Sequence, residues 1–237
     1  MDSRREEFYK NLIIDEEDKE RAEKYLTSKG VEKHIILKEK LFNWIEGDKI
    51  EYSLIASTYR YDKRLRNILF KYISYLEEFY RSVILDEYRY RVKKIQWIRD
   101  IKERLEEFNG DLNDALEHID FSSLLIQTRM LPQRVKNKCL LPKTRNLKEN
   151  SIALKELRNA VMHNKFLLLY RGYETCYIDG VDGGKSSNLK ANILNLISFL
   201  PKSVAEGCIR DINAAKEEKE NQLGTTWNLP PSVVIEV

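Results

Sequence analysis

A long run of apolar residues at helical spacing, from Asp62 to Tyr90, constrains the fold of this chain more than any other feature. Its apolar side chains recur at intervals of three and four residues, which places them on one face of an α-helix. They are Leu65, Ile68, Leu69, Tyr72, Leu76, Phe79 and Val83. The run therefore predicts one long amphipathic helix that turns a single apolar stripe towards a core.

Glycine and proline are scarce, and they lie between further periodic stretches. Only 9 glycines and 5 prolines occur among the 237 residues. Because these two residues interrupt regular structure, their distribution predicts an all-α protein. Further helices are expected at 15–28, 31–45, 93–109, 112–118, 151–170, 189–200 and 204–222, with a short element at 50–58. Asp111 is the predicted N-cap at 112, and Asn150 or Ser151 is the predicted N-cap of the helix that ends near 170.

The predicted helices group into three segments. Residues 1–58 form an N-terminal helical extension, residues 59–222 form the main helical domain, and residues 223–237 form an extended tail. A turn-rich insertion at 172–186 interrupts the main domain, and a small hairpin is expected around residues 175–178.

Composition and charge limit the classes of protein to which the chain can belong. The formal net charge is +3, so any site for nucleic acid must be local. No apolar stretch is long enough to span a bilayer, and the charged start does not have the pattern of a signal peptide. The 3 cysteines predict no disulfide framework, and neither they nor the 3 histidines have the spacing of metal ligands. We therefore expect a cytoplasmic protein that needs no metal or other cofactor and does not contact a membrane.

The most informative short motif is Arg-Asn-Ala-Val-Met-His at 158–163, in the predicted helix 151–170. One side of this helix is apolar and is expected to face the core. The other side mixes polar residues with the apolar side chains of Ile152, Met162 and Phe166. Such a mixture suits a partner surface or a cleft.

Helical geometry separates the polar members of the motif. At 100° per residue, Asn159 and His163 lie nearly opposite the core side, and Arg158 lies roughly 140° from His163. Histidine can exchange a proton near neutral pH, and arginine presents a charged planar fork that matches phosphate oxygens. Together they suit cleavage of an RNA phosphodiester, in which a base takes the proton of the ribose 2′-hydroxyl and a cation stabilises the negative charge.

One chain supplies one motif histidine, and Arg158 points partly away from it. A two-fold axis would bring two arginines and two histidines into one cleft, so the motif predicts an active homodimer. The alternative is an exposed histidine with an ordinary arginine nearby, because the bare spacing between Arg158 and His163 often arises by chance.

A second polar feature runs along the long helix. Asp62, Arg66, Glu77 and Arg81 are spaced by 4, 11 and 4 residues, which places them in one narrow stripe. They could be solvated ion pairs of little functional consequence. In the functional interpretation, Glu77 reaches Arg158 and holds its guanidinium in place, while Arg81 adds a phosphate contact.

Two basic segments are candidate RNA surfaces. The first is an aromatic and basic run at 88–97, and the second is a proline-punctuated loop at 132–145. Each can equally be solvated surface with no ligand. Together with one residue of the long helix, the residues predicted to bind RNA are Arg66, Arg89, Arg91, Lys94, Arg134, Lys136 and Lys138.

These motifs resemble a known family. The run Leu157–Asn164 resembles the Arg-x4–6-His signature of HEPN domains. The runs Tyr61–Arg66 and Tyr75–Arg81 resemble the Asp-x-x-Leu-Arg…Glu-x-x-x-Arg helix of Abi-like abortive-infection proteins, of the Abi-D and Abi-F type. Two motifs in this order are more specific than either of them alone.

The resemblance implies a HEPN-like all-α helical bundle that acts on RNA without a metal, usually as a dimer. It implies catalytic roles for Arg158 and His163. The supporting candidates are Asn159, Asn164, Glu77 and Arg81. It also implies bacterial phage-defence or toxin–antitoxin biology, with RNA as the substrate and a bound non-coding RNA or an antitoxin as further partners.

Three functions remain open from the sequence. The first is an endoribonuclease, which the chemistry of Arg158 and His163 favours. The second is a protein that holds a regulatory or non-coding RNA without cutting it, because binding requires the same cations. The third is a helical scaffold with no role in nucleic-acid binding.

Overall fold

The computed structural model describes residues 3–43, 48–139, 146–178, 184–217 and 226–237. Its elements in chain order are α1 (Ser3–Tyr9), β1 (Leu12–Ile13), α2 (Glu16–Lys29), α3 (Val31–Phe42), β2 (Ile50–Glu51), α4 (Tyr52–Tyr88), α5 (Arg99–Glu107), α6 (Leu112–Glu117), α7 (Phe121–Arg129), α8 (Gln133–Cys139), α9 (Leu147–Met162), β3 (Cys176–Tyr177), β4 (Lys185–Ser186), α10 (Leu189–Phe199) and α11 (Lys202–Asn213). Short 3-10 helices lie at Val92–Lys94, Leu167–Leu169, Ala214–Lys216 and Pro231–Val233. The described residues are mostly helical, which confirms the all-α prediction.

The chain divides into two compact units. The first contains Met1–Leu65 and Ala214–Glu236, and the second contains Arg66–Asn213 together with Val237. The division predicted from the sequence, at residues 58 and 222, groups the chain differently. All of the predicted site residues belong to the second unit.

The long helix α4 begins earlier than predicted and includes most of the short element expected at 50–58. Neither glycine nor proline occurs between Tyr52 and Tyr88, so no residue there breaks the helical hydrogen bonds. Four residues of the predicted stripe are buried, namely Leu65, Leu69, Tyr72 and Leu76. The other three, Ile68, Phe79 and Val83, are half-buried.

The buried face of α4 in the second unit is wider than one stripe. Ile73, Tyr80 and Ile84 are fully buried there, although the sequence did not mark them as core. Neighbouring elements explain this width, because the Tyr80 hydroxyl donates to the carbonyl of Phe199 in α10 at 3.0 Å. Contacts on more than one side of a helix bury more than a single stripe of residues.

In the first unit, a buried lysine joins α1 to α3. Lys38 is 6% exposed, and its ammonium donates to the carbonyls of Glu7, Phe8 and Lys10 at 2.6, 2.9 and 3.1 Å. Carbonyls at the end of a helix lack partners within that helix, so the ammonium satisfies them. Burial lowers the pKa of Lys38. The same unit contains a parallel pairing of β1 with β2, which the sequence did not predict.

The C-terminal part of the chain also differs from the prediction. The helix expected at 204–222 is α11, which ends at Asn213 and is followed by a 3-10 helix. Of the tail expected to be extended from 223, residues 226–237 are described, and they include a 3-10 turn at Pro231–Val233. In the first unit, the ring of Trp227 lies 5.3 and 4.5 Å from the guanidinium carbons of Arg60 and Arg64.

Between α4 and α9, the structure corrects three predictions. The helix expected at 93–109 begins only at Arg99, after an extended N-cap residue, Ile98. Helix α7 was not predicted, and its signal is the capping carboxylate of Asp120, which accepts from the Ser123 N–H at 2.7 Å. Helix α8 occupies the first part of the predicted loop at 132–145. Pro132 does not prevent this helix, because it stands just before the first residue, where a missing N–H costs nothing. Residues 140–145 of that loop lie outside the described residues.

Two local predictions are confirmed. The Asp111 carboxylate caps α6 by accepting from the N–H groups of Asn113 and Asp114 at 2.8 and 3.2 Å. The insertion at 172–186 contains the predicted hairpin, in which β3 pairs antiparallel with β4. Residues 179–183 of the insertion lie outside the described residues.

A buried asparagine of α9 anchors this hairpin. The Asn150 amide donates to the Tyr177 carbonyl at 3.0 Å, and its side-chain oxygen accepts from the Tyr177 N–H at 2.8 Å. The backbone carbonyl of Asn150 accepts from the Asn195 amide of α10 at 2.8 Å. The prediction that Asn150 is a helix cap is therefore wrong, because its side chain is hydrogen-bonded to the backbone of Tyr177 in β3.

No described helix is both long enough and apolar enough to cross a membrane. The cysteines Cys139, Cys176 and Cys208 are buried and unpaired, as expected from their scattered positions.

Candidate active site

Helix α9 carries the motif, and its ends differ from the prediction. It begins at Leu147, after Asn146, which has a left-handed backbone with φ of 51°. Ser151 therefore lies inside the helix, where its hydroxyl donates to the Leu147 carbonyl at 2.5 Å. The helix ends at Met162 rather than near residue 170, so His163 is its C-cap.

Asn164 ends α9 through its backbone conformation. Its φ is 52°, in the left-handed region that asparagine adopts more readily than most residues. Its N–H donates to the Val161 carbonyl at 3.1 Å, and the Lys165 N–H donates to the Ala160 carbonyl at 2.9 Å. These two bonds form a Schellman motif, which satisfies the last carbonyls of the helix. The turn fixes His163 at the end of α9.

Within α9 itself the two sides agree with the prediction, whereas Phe166, which was predicted to project from the side opposite the core, lies beyond the end of the helix. Its core side is buried and consists of Ala153, Leu154, Leu157, Ala160 and Val161. On the opposite side, Asn159 is half-buried and His163 is exposed. Their direct contact is through the backbone, where the His163 N–H donates to the Asn159 carbonyl at 2.9 Å.

Glu77 of α4 holds two arginines. Arg158 Nε donates to Glu77 Oε1 at 3.1 Å, and Arg81 Nη2 lies 3.5 Å from Glu77 Oε2. The side chain of Glu77 is 14% exposed and that of Arg158 is 30% exposed, so water screens this pair less than an ion pair on the surface. The Arg158 guanidinium also lies 5.9 Å from the centre of the Phe121 ring. The contact predicted between Glu77 and Arg158 is present in the structure.

The two arginines of the α4 stripe, Arg66 and Arg81, have different surroundings. Arg66 Nη1 lies 3.4 Å from both the backbone and the side-chain oxygen of Asn164. This places a cation at the C-terminus of α9, where the helix dipole favours positive charge. Arg81 Nε donates to the Leu116 carbonyl of α6 at 3.0 Å, so this arginine takes part in local packing as well as in holding Glu77.

The site in one chain consists of two separate clusters. One contains Arg158 and Glu77, and the other contains Asn164 and Arg66 beside His163. Their α4 members are eleven residues apart, which is about 16 Å along the helix axis. Among the described contacts of Arg158, none joins its guanidinium to the His163 imidazole. A single chain therefore presents its candidate acid–base group apart from its candidate phosphate-binding cation.

Two predicted RNA-binding segments meet at Glu87, a residue that was not predicted to belong to a site. Glu87 Oε1 accepts from Arg91 Nη2 at 2.5 Å and also from Arg134 Nη2 of α8. The Glu87 side chain is 10% exposed. Its spacing of four residues from Arg91 was the available signal in the sequence, and the contact with Arg134 required the tertiary structure.

The remaining predicted RNA-binding residues differ in exposure. Arg89, Lys94 and Lys138 are exposed. Lys136 is half-buried, and its ammonium donates to the Arg129 carbonyl at 3.2 Å. Lys136 therefore makes a local contact between α8 and α7. The side chains of Arg89, Lys94 and Lys138 remain on the surface.

A groove between α7 and α9 exposes apolar side chains. Ile126 and Ile152 line it and are 36% and 40% exposed, and Met130 beyond the end of α7 is 42% exposed. On α9, Ile152 lies seven residues before Asn159, so the two are within about 20° of each other around the helix. Ile152 and His163 thus lie on one face of α9. Ile126 and Met130 were not expected to be exposed at this groove, because α7 was not predicted.

A cavity of about 810 Å³ lies in the first unit, and Glu6, Tyr9, Lys10 and Glu23 are among the residues that line it. It contains no residue of the motif, so it does not extend the candidate site. Within the described ranges, no group of three or more histidine, cysteine, aspartate or glutamate residues is arranged to hold a metal ion.

Comparison of the chain with family models, with curated proteins and with solved structures finds no match. The interpretation of the site therefore depends on its own geometry and on the motif that it contains.

Proposed function

We propose that the protein is a cytoplasmic, metal-independent endoribonuclease with a HEPN-like helical bundle, and that it cuts RNA in a cleft formed by two copies of the chain. Arg158 and His163 are the proposed catalytic residues. Glu77 and Asn164 are positioning residues. The observation that carries the proposal is that Glu77 orients the Arg158 guanidinium while the Asn164 turn presents His163 at the exposed end of the same helix.

In the proposed reaction, His163 of one copy takes the proton of a ribose 2′-hydroxyl, and the 2′-oxygen forms a bond to the adjacent phosphorus. The bond from phosphorus to the 5′-oxygen of the next nucleotide breaks, and this oxygen takes a proton from the imidazolium of His163 in the second copy, which starts the reaction protonated. Arg158 stabilises the negative charge that collects on the phosphate oxygens. The products are a 2′,3′-cyclic phosphate and a 5′-hydroxyl.

The proposed homodimer is supported by the exposed apolar side chains at the groove between α7 and α9. A symmetric contact through Ile152 and the neighbouring Ile126 would remove apolar surface from water. Ile152 shares its face with Asn159 and His163, so a contact that extends along this face to the end of α9 would bring the two histidines near one axis. The separation of Arg158 from His163 in one chain is consistent with a site that is complete only in the dimer.

The chemistry of the RNA ends tests this proposal. The purified protein is incubated with RNA in the presence of a metal chelator, and the products are identified by mass spectrometry. The proposal predicts 2′,3′-cyclic phosphate and 5′-hydroxyl ends, which disappear in Arg158→Ala and in His163→Ala. Ends of another kind, or cleavage that persists in both variants, would contradict it.

A second candidate function is RNA binding without cleavage. It rests on the fact that binding requires only the charge of Arg158, which Glu77 holds in place, and no acid–base step at His163. In that case the same cations would hold a regulatory or non-coding RNA. A gel shift without new RNA ends, in a preparation of the unaltered dimer, would establish this alternative.

The biology proposed for this activity is phage defence or a toxin–antitoxin system, in which an antitoxin or a bound non-coding RNA restrains the enzyme. This part of the proposal rests on the resemblance of the two motifs to Abi-like proteins. Expression of the unaltered chain in bacteria is expected to arrest growth, and expression of His163→Ala is expected to leave growth unchanged. Equal arrest by both would contradict it.

A further inference from the structure

The C-terminal end of α4 carries a basic and aromatic surface outside the proposed active site. We define the α4-end surface as Arg89, Tyr90, Arg91, Lys93, Lys94 and Arg134. Glu77 and Glu87 are ten residues apart on α4, so this surface begins about 15 Å along the axis from the residue that holds Arg158. Both regions belong to the second unit.

The α4-end surface concentrates positive charge. Residues 88–99 and 133–139 contain no acidic residue, and Glu87 joins the two segments by binding Arg91 and Arg134. The surface therefore contains five basic side chains, and the acidic residues beside it are Glu87 and its exposed neighbour Asp86. In a chain whose net charge is only +3, this is a local positive patch of the kind that binds phosphates.

Tyr90 gives this surface a flat apolar face. It is 87% exposed, and the Arg89 guanidinium lies 5.0 Å from the centre of its ring. An exposed ring beside cations is the arrangement on which unpaired nucleobases stack while their phosphates contact the basic side chains.

The 3-10 helix Val92–Lys94, which carries Lys93 and Lys94, is stabilised by the side chain of Trp97. Trp97 donates from its indole N–H to the Val92 carbonyl at 2.9 Å, and its ring makes an edge contact with buried Tyr88 at 5.3 Å. These contacts order the 3-10 helix Val92–Lys94, on which Lys93 and Lys94 are exposed. A surface that is already ordered loses less entropy when it binds a ligand.

We infer that the α4-end surface binds single-stranded RNA, with one base stacked on Tyr90 and phosphates against Arg89, Lys93 and Lys94. A strand bound there extends towards the cleft that contains Arg158 and His163. Only this extension rests on the proposed function, because binding at Tyr90 requires no cleavage. A protein partner or a membrane fits less well, since each favours a broader apolar area than a single tyrosine ring.

The test measures binding by fluorescence anisotropy, with the full chain carrying His163→Ala so that the RNA stays intact. The probe is a labelled oligouridine of about 20 nucleotides, and a duplex RNA of the same length is the second probe. The variants are Tyr90→Ala, Tyr90→Phe and the double change Lys93→Ala with Lys94→Ala. The matched control for charge is Lys190→Ala with Lys202→Ala, which removes two exposed lysines elsewhere in the second unit.

We expect Tyr90→Ala to weaken the binding of oligouridine about tenfold and Tyr90→Phe to preserve it, because stacking requires the ring and not the hydroxyl. Loss of both lysines is expected to reduce the slope of log Kd against log salt by about 1.4, the value for two phosphate contacts on a single strand. Equal binding of the duplex, or equal losses in the control variant, would overturn the inference. So would unchanged binding in Tyr90→Ala, whether or not the unaltered chain cleaves RNA. A loss of binding in Tyr90→Ala, with no cleavage by the unaltered chain, would support this surface and refute the proposed nuclease.

Discussion

Arg158 Nε donates to Glu77 Oε1 at 3.1 Å and so joins two residues that are 81 positions apart in the chain. The carboxylate also lies near Arg81, which in turn binds the Leu116 carbonyl. The position of the Arg158 guanidinium is therefore determined by α4 and its neighbours as well as by its own helix. Such support is what an arginine needs if it is to meet a phosphate in one defined orientation.

Removal of the Glu77 carboxylate is expected to reduce cleavage more than binding. In Glu77→Ala, Arg158 keeps its charge but loses the partner that orients it, so we expect kcat for RNA cleavage to fall about 100-fold with little change in KM. The exposed neighbour Glu78 provides the matched control, and Glu78→Ala is expected to behave like the unaltered chain. A rise in KM at constant kcat would show that Glu77 contributes to binding rather than to orientation.

The left-handed turn at Asn164 predicts opposite outcomes for two substitutions. Asn164→Gly is expected to preserve the thermal stability of the protein, because glycine adopts a positive φ without strain. Asn164→Val is expected to lower the free energy of unfolding by about 1 kcal/mol, because a β-branched residue is strained in that region. Thermal denaturation of the two variants measures this difference. Equal melting temperatures would contradict the role assigned to the turn.

Lys38 predicts a large effect on stability far from the candidate site. Lys38→Met leaves the carbonyls of Glu7, Phe8 and Lys10 without their buried donor, so we expect the free energy of unfolding to fall by about 2 kcal/mol. Lys33→Met, which changes an exposed lysine of the same helix, is expected to have little effect. Chemical denaturation compares the two variants, and a similar loss in both would refute the specific role of Lys38.

His34 predicts the direction of a pH effect. Burial lowers the pKa of His34, whose ring stacks on Tyr59 at 4.9 Å and whose Nδ1 bonds the Gly30 carbonyl at 2.8 Å. The unfolded chain therefore takes up the proton at a higher pH than the folded chain does. The contribution of His34 to stability is complete above about pH 6.5, the ordinary value for histidine, and it is lost as the pH falls below that value.

Melting curves between pH 7.5 and 5.5 measure this contribution. The unaltered protein is expected to lose more stability over that range than His34→Phe, which retains a ring against Tyr59 but cannot take up a proton. A steeper loss in His34→Phe than in the unaltered protein would contradict the assigned direction.

The sequence predicted features that depend on local pattern. The spacing of Leu65, Leu69, Tyr72 and Leu76 identified the long helix, and Asp111 identified the start of α6. The contact between Glu77 and Arg158 was one of two interpretations of the polar stripe on the long helix, the other being solvated ion pairs, and the structure contains this contact.

The features that the sequence did not reveal depend on tertiary contacts or on backbone turns. In the sequence, Asn150 is an ordinary candidate for an N-cap. Its hydrogen bonds to Tyr177 depend on the tertiary structure, which places the strand beside it. The end of α9 was predicted too late, because Phe166 and Leu168 continue the helical spacing of apolar residues beyond the Asn164 turn. Glu87 of α4 binds Arg91, which follows α4, and Arg134 of α8. The spacing of four residues indicates the first contact, but no local pattern specifies the second.

The single-turnover rate of RNA cleavage by His163→Ala tests the central claim most directly. The control is His118→Ala, which removes another exposed histidine of the second unit. We predict that His163→Ala loses at least 100-fold in rate, as expected for the loss of a general base, while its RNA binding and dimerisation are retained, and that His118→Ala cleaves like the unaltered protein. Cleavage by His163→Ala at the rate of the unaltered protein would contradict the account.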